Sequence, residues 1–227
     1  AGYNSYPDWG YASEFGVIHL NECEVSINHT TIRGAAHYGI SLSENASFVS
    51  FDNNTLTGNQ SNPLILHPGA LSSLGNTSTF AGEKSIWVMG KDYFDAGSDI
   101  TWYRQDVPYR IDGSINFSGS FNLTVEAGTV FEFDREGLSG NAYFNTTSGS
   151  ITAIGTAAEP IVFTSARDDK SRGDWAGLMI ASNSTLEHCI IEYAGSDYTV
   201  SGYQRALRID GQNITVNNCT VKESLGN

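Results

Sequence analysis

The chain has 227 residues, a formal net charge of −13, only 16% charged residues and four lysines, with Gly, Ser, Thr and Asn abundant. That balance argues against a nucleic-acid partner, which needs clustered cations on the phosphates, and against helices, which favour Ala, Leu, Glu and Lys. No run of 18 apolar residues exists, so no membrane-spanning helix is expected.

In chain order, the first signal is a loop crowded with aromatics, Tyr3, Tyr6, Trp9 and Tyr11, whose flat faces are candidates for stacking on glycan rings. A short repeat follows. Val25-Ser26-Ile27-Asn28-His29-Thr30-Thr31-Ile32 and Val49-Ser50-Phe51-Asp52-Asn53-Asn54-Thr55-Leu56 share the pattern apolar, polar, apolar, turn formers, Thr, apolar, and lie 24 residues apart. Alternation of period two places Val25 and Ile27 on one strand face. The Asn-rich step turns the chain, and Ile32 returns apolar bulk to the same interior. A circuit of this length makes a coil of three short strands that cannot bury its own apolar side alone, so coils must stack. Stacking predicts that Val25, Ile27, Ile32, Val49, Phe51 and Leu56 face the lumen and that Asn28 and Asn53 ladder along the axis.

Residues 1–62 are therefore expected as coils. Residues 63–107, with His67-Pro68-Gly69 and the apolar run Ile86-Trp87-Val88-Met89, are expected as an excursion of a few strands packed on the stack. Strand signals resume at Tyr109-Arg110-Ile111 and Leu123-Thr124-Val125, and residues 108–227 are expected as coils again. Two further copies of the repeat lie there, Thr185-Leu186-Glu187-His188-Cys189-Ile190-Ile191 and Ile214-Thr215-Val216-Asn217-Asn218-Cys219-Thr220-Val221, adding Ile214, Val216 and Val221 to the expected lumen. Residues 194–227 also echo residues 1–38 over a longer span. The whole reads as one all-β domain, a parallel β-helix, and as a module of a longer array.

Sequons Asn-x-Ser/Thr occur at Asn28, Asn45, Asn53, Asn59, Asn76, Asn116, Asn122, Asn145, Asn183, Asn213 and Asn218, more than chance supplies for this composition. They mark glycosylation candidates and an extracellular or cell-surface location, with Asn laddering in turns as the structural alternative. The three cysteines, Cys23, Cys189 and Cys219, are an odd number in strand-like surroundings and read as small buried residues.

The stretch Leu123-Thr124-Val125-Glu126-Ala127-Gly128-Thr129-Val130-Phe131 is followed by Ser150-Ile151-Thr152-Ala153-Ile154-Gly155-Thr156 and Pro160-Ile161-Val162-Phe163-Thr164-Ser165. Then come Gly173-Asp174-Trp175-Ala176-Gly177-Leu178 and Leu186-Glu187-His188-Cys189-Ile190-Ile191. In that order these resemble the opening coils of secreted right-handed β-helix repeat proteins of bacteria and archaea, within the pectin-lyase-like superfamily. The resemblance implies the right-handed parallel β-helix and a surface location. It implies little about activity, because one fold hosts many functions.

A polygalacturonase-like site would add a Gly-His-Gly and an Arg-x-Lys, and the sequence has neither. A lyase-like site would place carboxylates on Ca²⁺ beside a basic residue and take its acidic substrate in a basic groove, unlike this acidic chain. The densest carboxylate cluster, Asp168, Asp169 and Asp174, is a Ca²⁺ candidate, but Arg167, Lys170 and Arg172 interleave as ion-pair partners. No other cofactor is expected. The five histidines lack ligand spacing, and no regular Thr-x-Thr rows of an ice-binding kind are visible. The expectation is a non-enzymatic structural or adhesive surface module that associates end to end with copies of itself. Carbohydrate binding to cell-surface glycans, and more remotely polysaccharide cleavage, are the alternatives.

Overall fold

The computed structural model describes residues 16–134, 142–195 and 205–225. The first coil carries β1 (Gly16–Leu20), β2 (Glu24–Ser26) and β3 (Thr31–Arg33), and the second β4 (Tyr38–Leu42), β5 (Ser47–Ser50) and β6 (Thr55–Thr57). Then come β7 (Leu64–Leu66), a short 3-10 helix (Pro68–Ser73), β8 (Ile86–Phe94), β9 (Ile100–Trp102), β10 (Tyr109–Phe117) and β11 (Asn122–Val125). The remaining coils comprise β12 (Val130–Asp134), β13 (Tyr143–Asn145), β14 (Ser150–Ile154), β15 (Ile161–Ser165), β16 (Gly177–Ile180), β17 (Thr185–Glu187), β18 (Cys189–Glu192), β19 (Leu207–Ile209), β20 (Thr215–Asn217) and β21 (Thr220–Lys222). The chain folds as a right-handed parallel β-helix. A 12-stranded sheet runs β1-β4-β7-β8-β10-β12-β15-β18-β21 with β13, β16 and β19 branching from β10, and a 5-stranded sheet runs β20-β17-β14-β11-β9. Two short sheets, β2-β5 and β3-β6, complete the first coils. Among the described residues no helix is long and apolar enough to cross a membrane.

One-residue corners turn strand into strand. His29, Asn53, His188 and Asn218 each adopt a left-handed φ of 48 to 54°, a conformation that Asn tolerates better than most residues. Buried amides secure the corners. Asn54 accepts from the Thr30 backbone N–H at 3.0 Å and donates to the Ile27 carbonyl at 2.7 Å, one coil below. The expected Asn28–Asn53 ladder is not formed. Asn28 instead donates to Ser50 and accepts from the Asp52 N–H, both at 2.8 Å, because the register sets Asn28 over Asp52 and leaves Asn53 at the left-handed corner, pointing outward.

The lumen is apolar and aromatic. Trp102, Phe131, Phe144 and Phe163 are fully buried, and Trp175 lies flat on Phe133 at 4.1 Å while its indole N–H donates to the Glu192 carbonyl at 2.9 Å. Gly177 is required by packing: a Cβ there would meet the Arg205 carbonyl oxygen at 2.1 Å.

Three expectations change. Residues 63–107 are part of the stack, since β7 pairs β4, β8 pairs β7 and β10, and β9 pairs β11, all parallel. The strand run Ile86–Phe94 is too apolar on its inner side to lie on the outside. Val49 is 67% exposed. The ladder slips by one residue there, pairing Val25 with Phe48 and Ser26 with Ser50, so Phe48 and Phe51, rings 4.6 Å apart, fill the lumen and Val49 is the bulged residue that faces solvent. Val216 and Val221 occupy inward ladder positions over Leu186 and Ile191, yet they are 38% and 49% exposed, because no described strand covers the last coil.

Candidate functional site

Stacking assembles rows that are invisible along the chain. On the outer side of the large sheet, Trp87 pairs with Arg110, Arg110 with Glu132, Glu132 with Thr164, and Glu192 with Lys222. Thr164 donates to Glu192 at 2.9 Å, which closes the row. Two residues along, Asp112 pairs with Asp134. Arg110 spans both rows. Its guanidinium lies 5.4 Å from the centre of the Trp87 ring, a cation–π geometry, and donates twice to the Asp134 carboxylate, through Nε at 3.1 Å and through Nη2. The Tyr38 ring meets Trp87 edge-on at 6.4 Å.

The electrostatics follow from this crowding. Burial, followed by the Asp134 charge, raises the Asp112 carboxyl to about 6. Arg110 opposes the shift, as does the Trp87 indole, which faces Asp112 without closing a well-formed hydrogen bond. Burial raises Glu132 too, against the pull of Lys170 and Arg110. The Lys170 ammonium donates to Thr164 at 3.2 Å and lies over Tyr193 at 5.9 Å. The patch thus holds an aromatic wall, one carboxyl that is easily protonated and one bound by Arg110. Such a surface offers hydroxyl-bearing ligands aromatic contact and hydrogen bonds, and repels a polyanion.

The 5-stranded sheet presents a second row. Thr101, Thr124, Thr152, Thr185 and Thr215 are in register across its five strands, about 4.8 Å apart. A neighbouring row contains Asn122, Ser150, Asn183 and Asn213. Ser150 and Thr152 both donate to the Asn122 carbonyl oxygen at 3.0 Å, and Asn213 donates to Asn183 at 3.4 Å. A row of single threonines, one per coil, therefore runs along this sheet, with Asn or Ser rather than Thr two residues earlier in β11, β14 and the approaches to β17 and β20. Its members are 23, 28, 33 and 30 residues apart, so no fixed period exposes it.

The pectate-lyase-like beta helix domain model matches residues 95–220, from the coil of β9 to the last strand. The chain belongs to this family. No curated protein and no solved structure matches it.

Within this pectate-lyase-like domain, Asp168, Asp169 and Asp174 are not drawn into one cluster. Asp174 is buried and accepts from Ser165 Oγ at 2.7 Å and from the Ser171 N–H at 2.8 Å. Asp169 turns outward to Arg167, and Asp168 is exposed. No group of three potential metal ligands is gathered among the described residues. The loop folds around Asp174, whose carboxylate organises the backbone.

The sequons divide by environment. Asn59 and Asn145 are buried; Asn59 donates to Glu83 and Asn145 to Asn116, both at 2.9 Å. Asn28, Asn76, Asn122 and Asn213 spend their side-chain N–H on neighbouring side chains. Asn45, Asn53 and Asn218 are exposed, with no hydrogen bond from the side-chain amide among the described residues; Asn183 is exposed and only accepts. The aromatics Tyr3, Tyr6, Trp9 and Tyr11 lie outside the described residues.

Asp112, Asp134 and Trp87 were not expected as a cluster. The signal that could have found them is the shared strand pattern of Tyr109-Arg110-Ile111-Asp112 and Phe131-Glu132-Phe133-Asp134, which aligns the two aspartates once the coils are set in register.

Proposed function

We propose that the chain is a non-catalytic structural or adhesive module of the extracellular surface, joined end to end with copies of itself. The observation that carries this reading is the stacking itself, in which each coil buries its apolar side on the next through parallel ladders. Val216, Val221 and Leu225 are 37 to 49% exposed while Leu186 and Ile191, one coil below, are fully buried. The outer edges of β19, β20 and β21 have no strand partner among the described residues. Strand edges beside an apolar face are a template for another coil, and residues 194–227 echo residues 1–38 in sequence. A head-to-tail contact of this kind does not close and yields filaments. Light scattering and electron microscopy test it: the wild-type chain forms concentration-dependent linear assemblies, and the double variant Val216→Glu, Val221→Glu remains monomeric. Monodisperse wild-type monomer at high concentration would overturn the reading.

A second reading, contact with uncharged cell-surface glycans, is favoured by the Tyr38–Trp87 wall beside Asp112, where aromatic faces and hydrogen-bonding groups stand together.

A further inference from the structure

Two of the three cysteines are neighbours in space. Ile190 pairs with Thr220, so the preceding residues, Cys189 and Cys219, occupy one rung of β18 and the approach to β21. The His188 N–H donates to the Asn217 carbonyl at 3.1 Å, fixing the rung from the other side. Both side chains point inward, Cys189 fully buried and Cys219 at the edge of the core. Cys189 Sγ lies 3.4 Å from the Ala153 carbonyl oxygen, and Cys219 Sγ donates to the Asn217 carbonyl oxygen at 3.2 Å. Adjacent strands stand about 4.8 Å apart, inside the Cα separation of roughly 4.4–6.8 Å that a disulfide spans.

We propose that Cys189 and Cys219 are an oxidisable pair whose disulfide clips the last coil to the coil beneath it. The cross-link would tie two successive coils covalently and close a long loop through β19 and β20.

The chemistry is thiol–disulfide exchange with a small-molecule disulfide such as glutathione disulfide. The accessible Cys219 thiolate attacks one glutathione sulfur, the glutathione S–S bond breaks, and one glutathione thiol leaves. Cys189 Sγ, deprotonated, then attacks Cys219 Sγ and expels the second glutathione. Two electrons and two protons pass from the protein thiols to the two glutathione thiols released. Burial, with the adjoining Cys219, pushes the Cys189 thiol up to about 12, which makes the second step the slow one and its rate rise with pH. Cys23 sits on the first described coil, at the opposite end of the large sheet from Cys189 and Cys219. The oxidising surroundings proposed above are where such a bond would persist, but the exchange itself needs only the chain and the oxidant.

The folded chain and its Cys23→Ser variant, incubated with glutathione disulfide, test the pair. Both are expected to lose two thiols, retain no glutathione, and yield one tryptic cross-link joining Cys189 to Cys219. Tryptic cleavage at Arg205, Arg208 and Lys222 slows after oxidation. Cys219→Ser, at a partly exposed position, keeps the parental circular dichroism but forms no cross-link and gains no protection. Three free thiols after oxidation, glutathione retained on Cys219, or a bond involving Cys23 or a second chain would each overturn the proposal.

Discussion

Asp112 shows what a single residue contributes once stacking surrounds it. Its carboxyl titrates at about 6 in the folded chain against an ordinary 3.8. Between those values the folded state binds more protons than the unfolded one, so stability falls as pH rises through the window. Above pH 6 the buried carboxylate carries a cost of up to about 3 kcal/mol, from roughly 1.4 kcal/mol per unit. Asp112→Asn removes that cost. Thermal melts from pH 4 to 8 are expected to show the variant several degrees more stable than the parent at neutral pH, with a flatter pH profile. Parallel profiles for the two proteins would mean that Asp112 is solvated. Its ladder partner Asp134 is held by two Arg110 hydrogen bonds.

At the scale of the element, β2 and β5 separate pattern from position. Val25-Ser26-Ile27 and Val49-Ser50-Phe51 are interchangeable as strings, and alternation would put Val49 inside. Lumen volume decides otherwise. Phe48 and Phe51 together fill the space, and the one-residue slip at Val49 keeps both inward. Ile27→Asp buries a charge without a partner and is expected to abolish folding. Val49→Asp changes a solvent-facing residue and should shift stability by about 0.5 kcal/mol or less. Circular dichroism and urea titration distinguish the two, and equal damage from both would contradict the bulge. The corner residues were more legible. A polar residue at each turn is what the Asn-rich repeat predicts, while the choice of Asn54 over Asn53 for the ladder depends on which side chain the left-handed corner turns inward.

Over the whole molecule, net charge biases what approaches the surface. With a net charge of −13 and the Asp112–Asp134 pair beside Trp87, a uronic-acid polymer is expected to bind poorly. Incubation with polygalacturonate, with or without Ca²⁺, is expected to release no reducing or unsaturated ends. Neutral oligosaccharides are expected to bind without cleavage, and Trp87→Ala to weaken that binding. Turnover of either polymer that is lost on changing Asp112 or Asp134 to Ala would replace the non-catalytic reading with an enzymatic one.

What the sequence by itself determined is the coil: alternation of apolar and polar residues, polar turn residues at His29, Asn53, His188 and Asn218, and the need for each coil to bury its inner face on the next. Those are local properties, readable wherever strand period and turn chemistry coincide. Row membership was decided only by the tertiary structure. Paired residues in successive coils are separated by 22 residues between β10 and β12 but 32 between β12 and β15, so the coils differ in length and no fixed period aligns them. Register is then set by how the inner side chains fill the lumen, and a row such as Trp87–Arg110–Glu132, the five threonines, or Cys189 beside Cys219 exists only after that packing is complete.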